Sequence, residues 1–305
     1  MYAATLSAYL LRANTKPPIK PGTPYARINI PSVGITNGCL DLPSQVLSYA
    51  TLPFNNTYNT ASGSPFRIYN RTFSSNLVAT ASRPNGCLDE VAWCRKLKDR
   101  YDAADEGIDV RIKQACSAAV ITCNTEILWP YFLISNPTSQ YDMALPQIQP
   151  WPPKSAASYL NRPRVRALLG VPEGLNYTLF SSVVNNNFIA SGDPVRDGRK
   201  DLMYVLERGT RVAMVYGDRD WRCNWVGGEN LTASLSWPRR ATSGWFSKSG
   251  YVEFRAPSSG KVTAVTRQHT LLSFTRVFQA GHAVSWYAPE TVCCFTSFAY
   301  CLSSS

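Results

Sequence analysis

Tyr2, Leu6, Leu10 and Ala13 fall at helical spacing, which predicts an amphipathic helix at the start of the sequence. A Pro-rich turn, Lys16 to Pro24, leads from it to Ser32-Val33-Gly34-Ile35-Thr36, a short strand ended by Asn37-Gly38. Helix, loop and strand make half of a βαβ unit. From about Leu42 to Ser158 no alternation is sustained, and loops are predicted at Asn55 to Ser64 and at Pro146 to Pro153. Regular signals then return. Helices are expected at Pro163 to Leu169 and Lys200 to Glu207, and a strand at Arg211 to Tyr216 that runs into Gly217-Asp218. Gly250 to Arg255 and Lys261 to Arg267 flank a Pro- and Gly-containing turn as a hairpin, and Leu271 to Phe278 runs on to Gly281-His282. A last helix starts at Pro289, a favoured first helical residue, with Val292, Phe295, Ala299 and Leu302 on one face. The pattern divides the chain into an α/β core at 1–41, an inserted lid or cap at 42–158, and the core resumed at 159–305.

Composition supports a packed interior. With 305 residues, 45% hydrophobic and 17% charged, the chain is neither a disordered segment nor a charge-dense coiled coil. It has no uninterrupted apolar stretch of about 18 residues, so no membrane-spanning helix is expected. The net charge of +11 would suit a polyanionic partner if it were concentrated. It is dispersed: Asp89 to Lys113 alternates signs, and only Arg162, Arg164 and Arg166 cluster. No nucleic-acid partner is expected.

Nine cysteines and Asn-x-Ser/Thr acceptors at Asn55, Asn70, Asn176 and Asn230 point to an oxidising, glycosylating compartment. The first residues lack the basic and small-residue signals of a secretory leader and read as an internal helix. Together these features suggest a chain without its natural N-terminus. Cys87 and Cys94, like Cys116 and Cys123, stand about two helical turns apart. If they lie on antiparallel helices joined near residues 102–109, facing positions pair in nested order, Cys94 with Cys116 and Cys87 with Cys123. The alternative, a zinc site, wants shorter ligand spacings and usually histidine. Neither a metal nor a cofactor is expected. Cys39, Cys223, Cys293, Cys294 and Cys301 remain, an odd number.

Only two histidines occur. His269 lies between strands and reads as structural, whereas His282 follows a strand directly. Asp220, in Gly217-Asp218-Arg219-Asp220-Trp221-Arg222-Cys223, also stands just past a strand. In an open α/β sheet the carboxyl ends of strands gather catalytic groups. Asp followed by His is the chain order of the Ser, Asp, His triad of α/β hydrolases. There the carboxylate holds the imidazole tautomer while the imidazole takes the nucleophile's proton.

Gly217 to Trp225, then Ala280-Gly281-His282-Ala283-Val284 with Pro289-Glu290, resemble the serine carboxypeptidases. Tyr159-Leu160-Asn161-Arg162-Pro163 through Val171, Ser191-Gly192-Asp193, and Ser32 to Gly38 are similar to the same family. The resemblance is weak through most of the insert. It implies a partial α/β-hydrolase sheet with flanking helices and an inserted, disulfide-bearing helical lid. It also implies that Asp220 is the triad acid and His282 the base. Cys223 would lie against the substrate and account for the family's sensitivity to thiol reagents. The implied activity is release of C-terminal residues from peptides with a free C-terminus, through an acyl-enzyme and without a cofactor. The implied location is the secretory pathway, vacuolar, lysosomal or extracellular.

The departures from the family are as informative. The family's Gly-Glu-Ser-Tyr-x-Gly elbow is absent, as are the Gly-rich oxyanion segment and the residues that bind the substrate's terminal carboxylate; Met1-Tyr2-Ala3-Ala4 looks like the stretch just after the elbow. No Gly-x-Ser-x-Gly occurs, and Ser62 and Ser191 read as structural. Ala283 and Ser285 replace residues that are more often Met or Glu and Pro. The expectation is an N-terminally truncated member that holds acid and base without a nucleophile and is inactive alone. A non-catalytic binding protein on the same fold and a carboxypeptidase-like acyltransferase are the alternatives.

Overall fold

The computed structural model describes residues 2–15, 27–55, 67–103, 107–134, 138–146, 154–236 and 246–296. Its first helix, α1 (Tyr2–Ala13), packs along a later one and leads to β1 (Ser32–Thr36). The buried side of α1 is not the apolar stripe predicted for it. Ala4, Ser7 and Ala8 are buried, while Tyr2 and Leu6 are each 58% exposed. The reason is polar anchoring: the Thr5 hydroxyl (2.9 Å) and the Arg12 guanidinium (3.1 Å) both donate to Asp201, and this turns the small residues inward.

The middle of the chain is helical. It comprises α2 (Leu42–Asn55), α3 (Arg71–Ser82), α4 (Cys87–Tyr101) and α5 (Val110–Cys123), which runs on through a π turn and a 3-10 turn to Leu133. The side chains of Asn70 and Asp109 cap α3 and α5, accepting from Phe73 N and Arg111 N at 2.8 Å each. Disulfides join Cys87 to Cys123 and Cys94 to Cys116, the nested order of an antiparallel pair. Two short strands follow, β2 (Thr138–Ser139) and β3 (Asp142–Pro146), paired antiparallel. This region has a hydrophobic core of its own, built from Val46, Tyr49, Leu77, Val91, Val120, Tyr131 and Met143, and it takes in Trp221 from the last third of the chain.

The last third contains α6 (Lys154–Leu160), α7 (Pro163–Leu168), α8 (Ser182–Ser191), α9 (Gly198–Glu207), β4 (Arg211–Gly217) and α10 (Trp225–Ser234). The hairpin β5 (Val252–Arg255) and β6 (Val262–His269) comes next, then β7 (Leu272–Val277), α11 (Val284–Tyr287) and α12 (Pro289–Thr296). The main sheet has the order β1-β4-β7-β6-β5. β1, β4 and β7 run parallel, with Gly34 beside Ala213 and Met214 beside Phe274, and β6 and β5 turn back antiparallel. Val33, Ile35, Val212, Met214, Leu272 and Phe274 bury one sheet face with Leu202, Val205 and Leu206 of α9. Three neighbouring strands therefore end at one edge, where loops can meet. Residues 56–64 and 147–153 of the expected loops, the side chain of Phe295, and Ala299 and Leu302 lie outside the described residues. Among the described residues no helix is long and apolar enough to cross a membrane.

Candidate active site

The loops leaving β4 and β7 meet each other, and the second meets the Tyr141 strip, because two glycines allow close passage. A Cβ at Gly217, the last residue of β4, would sit 2.3 Å from the carbonyl oxygens of Ala280 and Gly281. One at Gly281 would sit 2.4 Å from the carbonyl oxygen of Tyr141. Neither position tolerates a side chain. The contact so permitted is stitched by Asp218 N donating to Val277 O (3.0 Å) and Arg219 N to Ala280 O (2.9 Å).

Asp220 is fully buried at this junction. One of its oxygens, Oδ2, lies 2.7 Å from His282 Nδ1 and accepts from Asn37 Nδ2 at 2.7 Å. The other, Oδ1, accepts from the backbone N–H of Arg222 at 2.9 Å. A carboxylate only accepts, so the proton of the neutral imidazole sits on Nδ1 and Nε2 is left as the basic nitrogen. The His282 side chain is 34% exposed, and its backbone N–H is held by Tyr141 O at 2.8 Å. Burial pushes the imidazole pKa down, but the hydrogen bond and charge of Asp220 outweigh it and the net shift is upward, with Arg222 opposing. That is the electrostatic setting of a general base steadied by a carboxylate. Two residues before Asp220, Asp218 is raised to about 6 by burial, against the nearby charge of Arg276 at 3.6 Å.

A strip from the helical insert braces both loops. Gln140 O accepts from Trp221 N (3.2 Å) and Arg222 N (2.9 Å), Met143 N donates to Arg219 O (2.8 Å), and Tyr141 O holds His282. Trp221 is wholly buried, stacked 4.0 Å from Tyr131, with its indole N–H donating to Tyr49 O at 3.1 Å. The Tyr141 ring lies 5.2 Å from the imidazole and stacks on Phe180.

Cys223 differs from the reactive thiol that the resemblance implies. Its sulfur is bonded to Cys39, with Cα atoms 5.0 Å apart, so the loop after β1 and the loop carrying Asp220 are covalently joined. His269 ends β6 beside Leu272, the first residue of β7, and is therefore at the opposite edge of the sheet from His282. Ser191 donates to Phe188 O at 3.0 Å, and Ser62 lies outside the described residues. Among the described residues no hydroxyl is hydrogen-bonded to Nε2 of His282, and no group of three potential ligands could hold a metal. Asn55, Asn70, Asn176 and Asn230 are all exposed. Two contributors were not foreseen from the sequence, Asn37 and the Gln140–Tyr141 strip. Asn37 was legible only as a turn residue, and its φ of +43° is one that asparagine tolerates better than most.

This sheet edge, with a buried aspartate orienting a histidine after the next parallel strand, is that of an α/β hydrolase. The pattern of the serine carboxypeptidases matches residues 1–299, and the chain belongs to that family. Carboxypeptidase S1 homolog A of Arthroderma benhamiae is 35% identical over 268 residues, which cover 87% of this chain and 39% of that protein. The carboxypeptidase Y homolog of the same organism is 36% identical over 295 residues, covering 95% of this chain and 45% of that protein. The chain thus spans less than half the length of these relatives. Among solved structures, the prohormone-processing carboxypeptidase Kex1Δp of Saccharomyces cerevisiae matches with a TM-score of 0.59 and 16% identity, covering 97% of this chain and 59% of that one. That likeness is one of fold.

Proposed function

We propose that Asp220 and His282 are the acid and base of a serine-type carboxypeptidase that releases C-terminal residues from peptides with a free C-terminus. The observation that carries this reading is the 2.7 Å contact between His282 Nδ1 and the buried Asp220 Oδ2. In the mechanism, Nε2 of His282 takes the proton of a serine hydroxyl as it attacks the scissile carbonyl, and Asp220 stabilises the imidazolium. The proton passes to the leaving amine, the C-terminal residue departs, and the same base activates the water that hydrolyses the acyl-enzyme. The serine belongs to the family's Gly-Glu-Ser-Tyr-x-Gly elbow, which none of these 305 residues forms. Three disulfides and four exposed glycosylation acceptors support a place in the secretory pathway, vacuolar, lysosomal or extracellular.

The test uses the natural polypeptide that carries these residues, assayed for release of the last residue from a blocked dipeptide. Release is expected, and kcat should fall about 10⁴-fold in Asp220→Asn and about 10⁶-fold in His282→Ala. The 305 residues produced alone should give none. Full activity in the His282→Ala protein would overturn the reading. Transfer of an acyl group to an alcohol in preference to water would replace it with an acyltransferase.

A further inference from the structure

Several arginines near the core have acidic partners: Arg95 meets Asp41 at 2.7 Å, Arg199 meets Asp197 at 3.0 Å, and Arg267 meets Glu229 at 3.3 Å. Arg222 is different. It is only partly exposed, yet among the described residues its guanidinium makes no hydrogen bond and no ion pair. Its backbone is fixed on both sides. The N–H donates to Asp220 Oδ1 and to Gln140 O, at 2.9 Å each, and the carbonyl accepts from the Tyr49 hydroxyl at 2.9 Å. The next residue, Cys223, is tied to Cys39. The charge is felt by the His282 imidazole and by the hydroxyls of Tyr141 and Tyr49.

Among the described residues this leaves a cation on a fixed backbone, two residues from Asp220, partly withdrawn from water and without an ion-pair partner. A planar guanidinium is matched by a carboxylate, which it grips through two parallel hydrogen bonds. We propose that Arg222 is the anion-recognition residue of this site and takes a carboxylate of the peptide close to the bond that is cut. The inference rests on the carboxypeptidase reading and adds selectivity to it. The carboxylate is an acidic side chain next to the scissile bond, because the family's residues for the substrate's terminal carboxylate are absent from these 305 residues.

The natural polypeptide and its Arg222→Gln and Arg222→Lys variants are compared on two pairs of blocked peptides. One pair differs as Glu against Gln in the penultimate position, the other as free acid against carboxamide at the end. In Arg222→Gln, the kcat/KM ratio of the acidic over the neutral member should fall about 10- to 100-fold in the Glu and Gln pair, while the pair that differs at the end serves as the control and keeps its ratio. Arg222→Lys should recover part of the lost preference. An unchanged ratio in the Glu and Gln pair overturns the proposal, even if overall activity falls. If the wild-type protein cleaves nothing, the carboxypeptidase reading fails and calorimetry on the 305-residue chain decides this one separately. Preference for N-acetylglutamate over its uncharged diamide, lost in Arg222→Gln, supports it, and equal binding overturns it.

Discussion

Asn37 and His282 donate to the same oxygen of Asp220, each at 2.7 Å. They come from loops after different strands, with the Asp220 loop between them in the sheet. Asn37 therefore withdraws charge from the oxygen on which the imidazole depends. In Asn37→Ala that charge returns to His282 and raises its pKa further. The imidazole is a base only when neutral, so the acid limb of the pH–kcat/KM profile of the natural polypeptide should move to higher pH. A profile that keeps its acid limb while kcat falls would mean that Asn37 only supports the loop.

Asp218 should dominate one window of the stability–pH curve. Its folded pKa is raised from 3.8 to about 6 by burial, so the folded state binds its proton more tightly than the unfolded one. The resulting stability is fully present below about pH 4 and is lost as pH rises through about 6, a change on the order of 3 kcal/mol. Urea midpoints at pH 4, 5, 6 and 7 should show this decline in the wild type and a flatter course in Asp218→Asn. Parallel curves would refute it.

The Cys39–Cys223 bond closes a loop 184 residues long. Cys39→Ser with Cys223→Ser should cost about 2–5 kcal/mol in urea unfolding. Iodoacetamide should reach Cys223 only after reduction, and non-reducing peptide maps should contain Cys39 with Cys223, Cys87 with Cys123, and Cys94 with Cys116. Alkylation of Cys223 in the native, unreduced protein is the contrary result.

Trp221 couples the loop that bears Asp220 to the core of the insert. Trp221→Ala should destabilise the protein by about 3–5 kcal/mol. Trp221→Phe keeps most of the buried ring surface but loses the hydrogen bond to Tyr49 O, and should cost about 1 kcal/mol beyond the lost area. Chemical denaturation checks both. An alanine variant as stable as the wild type would show that Trp221 is not buried.

Local features can be read from the order of the residues. Strands β1, β4, β6 and β7 show as short apolar runs ended by turn residues, α4 and α5 as cysteines two turns apart, and Asp220 and His282 as polar residues just past strand ends. Each depends on residues within about ten positions, and periodicity reports on that range. Which face of α1 is buried, the helix at Leu42–Asn55 despite Pro53, the bond between Cys223 and Cys39 and the reach of Asn37 to Asp220 emerge on folding alone. The cause lies in the contacts themselves. Thr5 meets Asp201 across 196 residues and Asn37 meets Asp220 across 183, and a hydrogen bond or disulfide formed at such separation leaves no period in the chain, because the fold rather than the neighbouring residues supplies the partner.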